Sequence, residues 1–183
     1  MKKRVLTLAI FFLIFLSLCL PHFSDGIDEK PTEYQVKAAF MYNFLKFIRW
    51  PDGYFKEKKD FKICVYGKDP FGGAIDDIGG KVAFGKPISI KRIGRNGKTT
   101  GCNLIFISSS ETKRVEKILS AIKGPVLTIS DIEGFIEKGG IIEFVMEGKN
   151  VRFKINREVA INKGLWISSR LLWLARNRPG REK

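Results

Sequence analysis

The apolar segment Leu104-Ile105-Phe106-Ile107 constrains the fold most, because it offers no polar side on either face. A strand with one face in water alternates apolar and polar residues, whereas a continuous apolar run is typical of a strand covered on both faces. Such strands occur in parallel sheets that have helices on both sides. The segment therefore predicts an α/β fold.

Strand patterns and helical patterns alternate along the rest of the chain, with glycine and proline between them. A capping box at residues 32–35 begins a helix that should reach about Arg49, where Trp50-Pro51 ends it. The segment Glu147-Gly148-Lys149-Asn150 predicts a hairpin. We therefore expect a three-layer α/β/α sandwich with a mixed, mostly parallel sheet of about six strands that ends in an antiparallel hairpin. Strands are expected at residues 61–66, 88–92, 104–107, 126–129, 141–146 and 151–155, and helices at residues 33–49, 71–78, 108–122, 157–162 and 166–177.

The first 26 residues have the layout of a secretory signal peptide. They begin with Met1-Lys2-Lys3-Arg4 and continue with an uncharged apolar stretch up to Leu20. That stretch is short for a hydrocarbon core of about 30 Å, and the small residues Ser24 and Gly26 fit a cleavage site after residue 26. We predict a signal peptide at residues 1–26 and one exported α/β domain at residues 27–183, with a retained N-terminal anchor as the alternative.

The composition excludes most catalytic machinery from the exported domain. The only histidine of the chain, His22, lies in the predicted leader. The exported domain therefore has no Ser-His-Asp triad, no Cys-His pair and no histidine metal site. No carboxylates have the spacing of a calcium loop, and we predict no catalytic residue, metal or cofactor. The formal net charge of +14 would suggest nucleic acid for a cytosolic protein. Outside the cytoplasm the polyanions are lipid headgroups, cell-wall polymers and acidic partner surfaces, so we expect no nucleic acid partner.

Two cysteines, Cys64 and Cys102, remain in the exported domain. An even count in an oxidising compartment favours one disulfide over a catalytic thiol. The two thiols can meet if the first strand lies beside the third. Two buried free thiols are the alternative.

A ligand crevice is a candidate functional site, because side chains that follow strands line such crevices in α/β sheets. The candidates are Asp69, Phe71, Asp131 and Phe135. A plain turn or cap role is the competing interpretation of Asp131.

The segment Gly94-Arg95-Asn96-Gly97-Lys98-Thr99 has half the pattern of a phosphate loop. Arg92 stands where the first glycine belongs, and a strand follows where a helix is required. We interpret the segment as a flexible basic loop and not as a nucleotide site.

Two stripes on the first and last predicted helices have no evident inward-facing role, because one sheet face covers only one side of each helix. Tryptophan and arginine often anchor protein interfaces. We predict that the stripes bind a partner or a second copy in a homodimer; the alternative is that they cover each other in the core. They comprise Tyr34, Met41, Leu45 and Ile48, and Trp166, Arg170 and Trp173.

Taken in order, these segments resemble the YfiR-like family of periplasmic proteins over about residues 33–175. Each motif is short, and the ordered set carries the resemblance. The motifs are residues 33–40, 42–44, 50–51, 67–72, 102–108, 126–131, 134–135, 139–142, 151–156, 164–169 and 171–172.

The resemblance implies a periplasmic binding protein and not an enzyme. It implies a repressor that binds an inner-membrane diguanylate cyclase, or another membrane sensor, and is itself sequestered by an outer-membrane lipoprotein. The paired cysteines of the family match Cys64 and Cys102. The protein after which the family is named has a second, more C-terminal cysteine pair, which has no counterpart in this sequence. A periplasmic receptor for a small ligand or cell-wall fragment is the alternative function.

Overall fold

Nine strands are present in the part of the chain that the structure, a computed structural model, describes, which is residues 31–175. Seven of them form one mixed sheet in the order β3-β4-β2-β5-β6-β7-β8, and β1 pairs with β9 separately. The predicted signal peptide lies outside the described residues. The strands are β1 Ile48–Arg49, β2 Phe61–Tyr66, β3 Val82–Ala83, β4 Lys86–Ile93, β5 Leu104–Ile107, β6 Leu127–Ser130, β7 Ile142–Glu147, β8 Asn150–Ile155 and β9 Trp166–Ile167.

The central strands β4, β2, β5, β6 and β7 run parallel, and antiparallel pairs close both edges. This arrangement confirms the predicted α/β fold, including the terminal hairpin of β7 and β8. The sheet has seven strands where about six were expected, because the short edge strand β3 adds to β4. Within residues 31–175, no helix combines the length and apolar character needed to cross a membrane.

Helices cover both faces of the sheet and create two hydrophobic cores. Leu104 and Phe106 of β5 face one core, and Ile105 and Ile107 face the other, with all four residues fully buried. The α-helices are α1 Glu33–Phe44, α2 Val115–Ala121, α3 Arg157–Asn162 and α4 Ser169–Leu174, and the 3₁₀ helices are Gly72–Ile78 and Ser109–Arg114. Helix α1 contributes to the first core and α2 to the second.

Two helix predictions are wrong at their ends. Helix α1 stops at Phe44 and not near Arg49, because Ile48–Arg49 forms β1 and pairs antiparallel with β9. For the same reason Trp166 lies in a strand, and the last helix begins only after Ser168, whose hydroxyl accepts a hydrogen bond from the backbone of Leu171.

The structure contains the predicted disulfide between Cys64 and Cys102. Strand β2 lies directly beside β5, with Ile63 opposite Leu104, so the two cysteines come close, with Cα atoms 5.9 Å apart. The first and third predicted strands are therefore neighbours, as the bond requires.

Candidate functional site

A recess of about 430 Å³ opens beside the carboxyl end of β6. Charged side chains from α1, from the segment after β6 and from the β7–β8 hairpin meet in it. Parallel sheets present ligand sites at this end of their strands. We call it the charged recess, and define it by Glu33, Lys37, Asp131, Glu133, Glu143 and Lys154.

Lys37 of α1 lines the charged recess, although only 3% of its side chain is exposed. Its Nζ lies 2.7 Å from Asp131 Oδ2 and 2.5 Å from Glu33 Oε1. The same Nζ lies 4.4 Å from the centre of the Tyr34 ring. A buried ammonium group is costly unless it is paired, and here two carboxylates and an aromatic ring compensate for its lost hydration.

Asp131 is held in place by the turn that follows β6. Ser130 Oγ donates to the carbonyl of Ile107 at 2.6 Å and accepts from the backbone of Ile132 at 3.0 Å. Asp131 Oδ2 accepts from the Tyr34 hydroxyl at 2.9 Å and from Lys37. Burial, reinforced by the hydrogen bond to Asp131, raises the pKa of Tyr34 above its usual value of 10.0, so the phenol stays protonated and donates.

The second oxygen of the same carboxylate, Asp131 Oδ1, is buried and has no hydrogen-bond partner among residues 31–175. A buried acceptor without a donor costs free energy, and such groups are rare in folded proteins. A donor on a bound molecule would satisfy this oxygen only after the side chains that cover it move.

The wall of the recess formed by the hairpin carries a second buried carboxylate. Glu143 of β7 lies directly opposite Lys154 of β8, and Lys154 Nζ is 3.4 Å from Glu143 Oε1. Glu143 Oε2 accepts from the backbone N–H of Ile136 at 3.2 Å. Opposite charges across an antiparallel pair stabilise its register, and both oxygens of Glu143 are occupied.

The charged recess is acidic although the whole chain is strongly basic, since four carboxylates face two lysines. Both lysines are paired with carboxylates. Among residues 31–175 no group of three or more His, Cys, Asp or Glu has an arrangement that could hold a metal ion. The arrangement suits binding of a small molecule that carries a hydrogen-bond donor or a positive charge.

Of the four residues predicted to line a crevice, only Asp131 lines the charged recess. Asp69 lies elsewhere and pairs with Arg92 of β4, with Nε 2.7 Å from Oδ2. Phe71 is buried against Tyr34 and Phe106, and Phe135 is fully buried in the second core. The structure therefore does not bring these four residues together in the charged recess.

Sequence reasoning missed Lys37, Glu143 and Lys154. Lys37 gave a usable signal, because it stands on a helix that is apolar over most of its surface, where a lysine needs a buried partner. Glu143 and Lys154 also gave a usable signal, because they lie at equal distances from the hairpin turn and carry opposite charges.

The predicted interface stripe on the first helix is also wrong. Met41, Leu45 and Ile48 are buried in the first core: Met41 lies on the side of α1 that faces this core, Leu45 caps the end of α1, and Ile48 lies in β1. Tyr34 is half-buried and donates its hydroxyl to Asp131. Met41, Leu45 and Ile48 are therefore unavailable to a partner protein.

The second predicted stripe is exposed but does not lie on one helix. Trp166 is 59% exposed on β9, and Trp173 is 58% exposed on α4. Arg170 is exposed, with its guanidinium 5.8 Å from the centre of the Phe47 ring. We call these three residues the tryptophan surface; its role as an interface stays a prediction.

Comparison with known proteins gives one finding. The sequence model of a family described as YfiR/HmsC-like matches residues 34–176. No curated protein matches the chain.

Proposed function

The chain belongs to the YfiR/HmsC-like family, and we propose that it binds a membrane-bound diguanylate cyclase in the periplasm and represses its synthesis of cyclic di-GMP. The YfiR-like family consists of periplasmic regulators and is not an enzyme family. The observation that carries the proposal is the family match over residues 34–176, which includes every strand of the sheet.

The tryptophan surface is the part of the molecule that we assign to the cyclase. Trp166, Arg170 and Trp173 expose the residue types that dominate the binding energy of protein interfaces. Met41, Leu45 and Ile48 are buried, so we assign them no part in this contact.

Deletion of the gene tests the proposal directly. Cellular cyclic di-GMP should rise on deletion and fall again when the wild-type protein is supplied. The triple variant Trp166→Ala/Arg170→Ala/Trp173→Ala should fail to lower it, although its melting temperature stays close to that of the wild type. Val82→Ala, at an exposed position on β3, is the matched control and should complement fully.

Unchanged cyclic di-GMP after deletion would contradict the repressor function. Full complementation by the triple variant would instead contradict only the assignment of the tryptophan surface. Sedimentation of wild type and triple variant shows whether the same surface holds two copies together, because a homodimer built on it would dissociate in the variant.

A second candidate function is a periplasmic receptor for a small ligand or cell-wall fragment. It is favoured by the unpartnered Asp131 Oδ1 in the charged recess. A cell-wall peptide with a free amino group should raise the melting temperature of the wild type. It should raise that of Asp131→Asn much less, and equal shifts in both proteins would contradict this role.

A further inference from the structure

A second recess, of about 300 Å³, lies on the side of the sheet that α2 covers. It opens between α2 and the connection from β4 to β5, close to the disulfide. Its lining shares no residue with the charged recess. We call it the basic recess, and its polar lining residues are Tyr66, Lys98, Thr99, Thr100, Arg114 and Lys117.

The basic recess has three cationic side chains and no carboxylate among its lining residues. Arg114 is partly neutralised, because it contacts Glu111 at 3.3 Å and donates to Asn96 at 2.7 Å. Neither Lys98 nor Lys117 makes an ion pair with any residue between positions 31 and 175. Converging positive charges in a concave surface attract and concentrate anions.

Tyr66 supplies an independent sign of a ligand. The residue is only 4% exposed and lines the basic recess. In the part of the chain that the structure describes, its hydroxyl has no hydrogen-bond partner. Among residues 31–175, Asp131 Oδ1 is the only fully buried side-chain nitrogen or oxygen without a partner, so the Tyr66 hydroxyl reaches the open space of the basic recess, where an anion would provide an acceptor.

The walls of the basic recess are held in place by the chain around them. Gly97 donates to the carbonyl of Gly94 at 2.9 Å, and a Cβ atom at position 97 would come within 2.4 Å of Ile93 Cγ2. The backbone N–H of Cys102 donates to the carbonyl of Thr99 at 3.3 Å. The disulfide then ties this wall to β2, two residues before Tyr66, so the recess is organised before any ligand arrives.

We propose that the basic recess binds the phosphate group of a small phosphate ester or of a lipid headgroup. A phosphate monoester carries a charge of about −1.5 to −2 and three strong acceptor oxygens. Lys98 and Lys117 match the charge of a monoester and exceed the single charge of the diester in a lipid headgroup; in both cases the Tyr66 hydroxyl donates to a phosphate oxygen. The site is not a nucleotide phosphate loop, because β5 and not a helix follows the glycine segment.

Calorimetric titration of glycerol 3-phosphate into the exported protein, with its disulfide intact and at constant ionic strength, tests the proposal. The double variant Lys98→Ala/Lys117→Ala should bind at least tenfold more weakly than the wild type. Lys59→Ala/Lys149→Ala removes the same charge at exposed positions outside the recess. This control should bind within twofold of the wild type.

Tyr66→Phe separates binding from folding. Its hydroxyl has no partner to lose, so the melting temperature should not fall, while the affinity for glycerol 3-phosphate should drop about tenfold. No binding by the wild type would overturn the proposal. So would wild-type affinity in both Lys98→Ala/Lys117→Ala and Tyr66→Phe.

Vesicles distinguish the two sources of the phosphate group. If the headgroup is the ligand, sedimentation with phosphatidylglycerol vesicles should be lost in Lys98→Ala/Lys117→Ala and retained in Lys59→Ala/Lys149→Ala. If both double variants lose vesicle binding equally, the binding reflects general charge attraction, and the lipid headgroup is excluded as the ligand. The titrations with glycerol 3-phosphate then test the remaining source, a small phosphate ester.

Discussion

Replacing Lys37 with methionine should destabilise the protein, because it leaves Asp131 as a buried carboxylate without its cation. Methionine is about as long as lysine and fills the same space, so the change tests charge more than packing. Asp131 would retain one hydrogen bond, from the Tyr34 hydroxyl. Its other oxygen already lacks a partner.

The size of the effect follows from the burial of the three charged groups. Breaking a buried ion pair by removing one partner costs about 3–5 kcal/mol. Lys37 and Asp131 are buried enough to qualify, with 3% and 10% of their side chains exposed, whereas Glu33 is 41% exposed and can be hydrated by water. Since Tyr34 still serves Asp131, we expect the lower end, about 3 kcal/mol, which lowers the melting temperature by about 6–12 °C.

Urea denaturation at pH 7, followed by tryptophan fluorescence, measures this loss. Lys46→Met is the matched control, because Lys46 follows α1, is exposed, and holds its ammonium group against Asn43 and the ring of Tyr42 without an ion pair among residues 31–175. The change should alter stability by less than about 0.5 kcal/mol. Adding Asp131→Asn to Lys37→Met should recover part of the loss. A loss below about 1 kcal/mol in Lys37→Met would refute the reasoning, since it would mean that water hydrates Asp131.

Reduction of the disulfide should cost roughly 4 kcal/mol, because the bond joins residues 38 positions apart and restricts the unfolded chain. Urea denaturation with and without reductant measures this loss of stability, and reductant should not affect the control variant Cys64→Ala/Cys102→Ala. A loss near zero would contradict the prediction. Arg92 hydrogen-bonds Asp76 and holds the pKa of that carboxyl below its usual 3.8. Stability from this pair is therefore complete above pH 3.8 and lost as the pH falls through the lowered pKa. Arg92→Gln should flatten the fall in melting temperature below pH 4, and parallel curves for both proteins would oppose this explanation.

The elements that could be predicted from the sequence are those defined by local patterns. The run at residues 104–107 predicted a strand covered on both faces, and β5 is buried throughout. The capping box at Thr32 begins α1, with both reciprocal hydrogen bonds present. Both depend on interactions within a few residues, which is why the sequence alone predicts them.

The candidate site could not be predicted as a whole, because it depends on strand order. Asp69 and Asp131 both follow strands, but β5 separates β2 from β6 in the sheet, and neighbouring strands are about 4.8 Å apart. Asp69 instead forms an ion pair with Arg92 of β4, which is the other neighbour of β2 in the sheet. The helix position of Lys37 is visible in the sequence, but its pairing with a residue 94 positions away is not.

The sequence by itself determined the α/β class and the family, because hydrophobic periodicity and ordered motifs are properties of the chain, whereas the position of β2 beside β5 decided that Cys64 and Cys102 meet. Only the tertiary structure decided which apolar stripe is core and which is surface. Met41 and Trp166 are both apolar, yet α1 packs Met41 against the sheet, while pairing of β9 with β1 leaves Trp166 exposed. Burial is settled by which elements pack together, and that choice involves residues far apart in the chain.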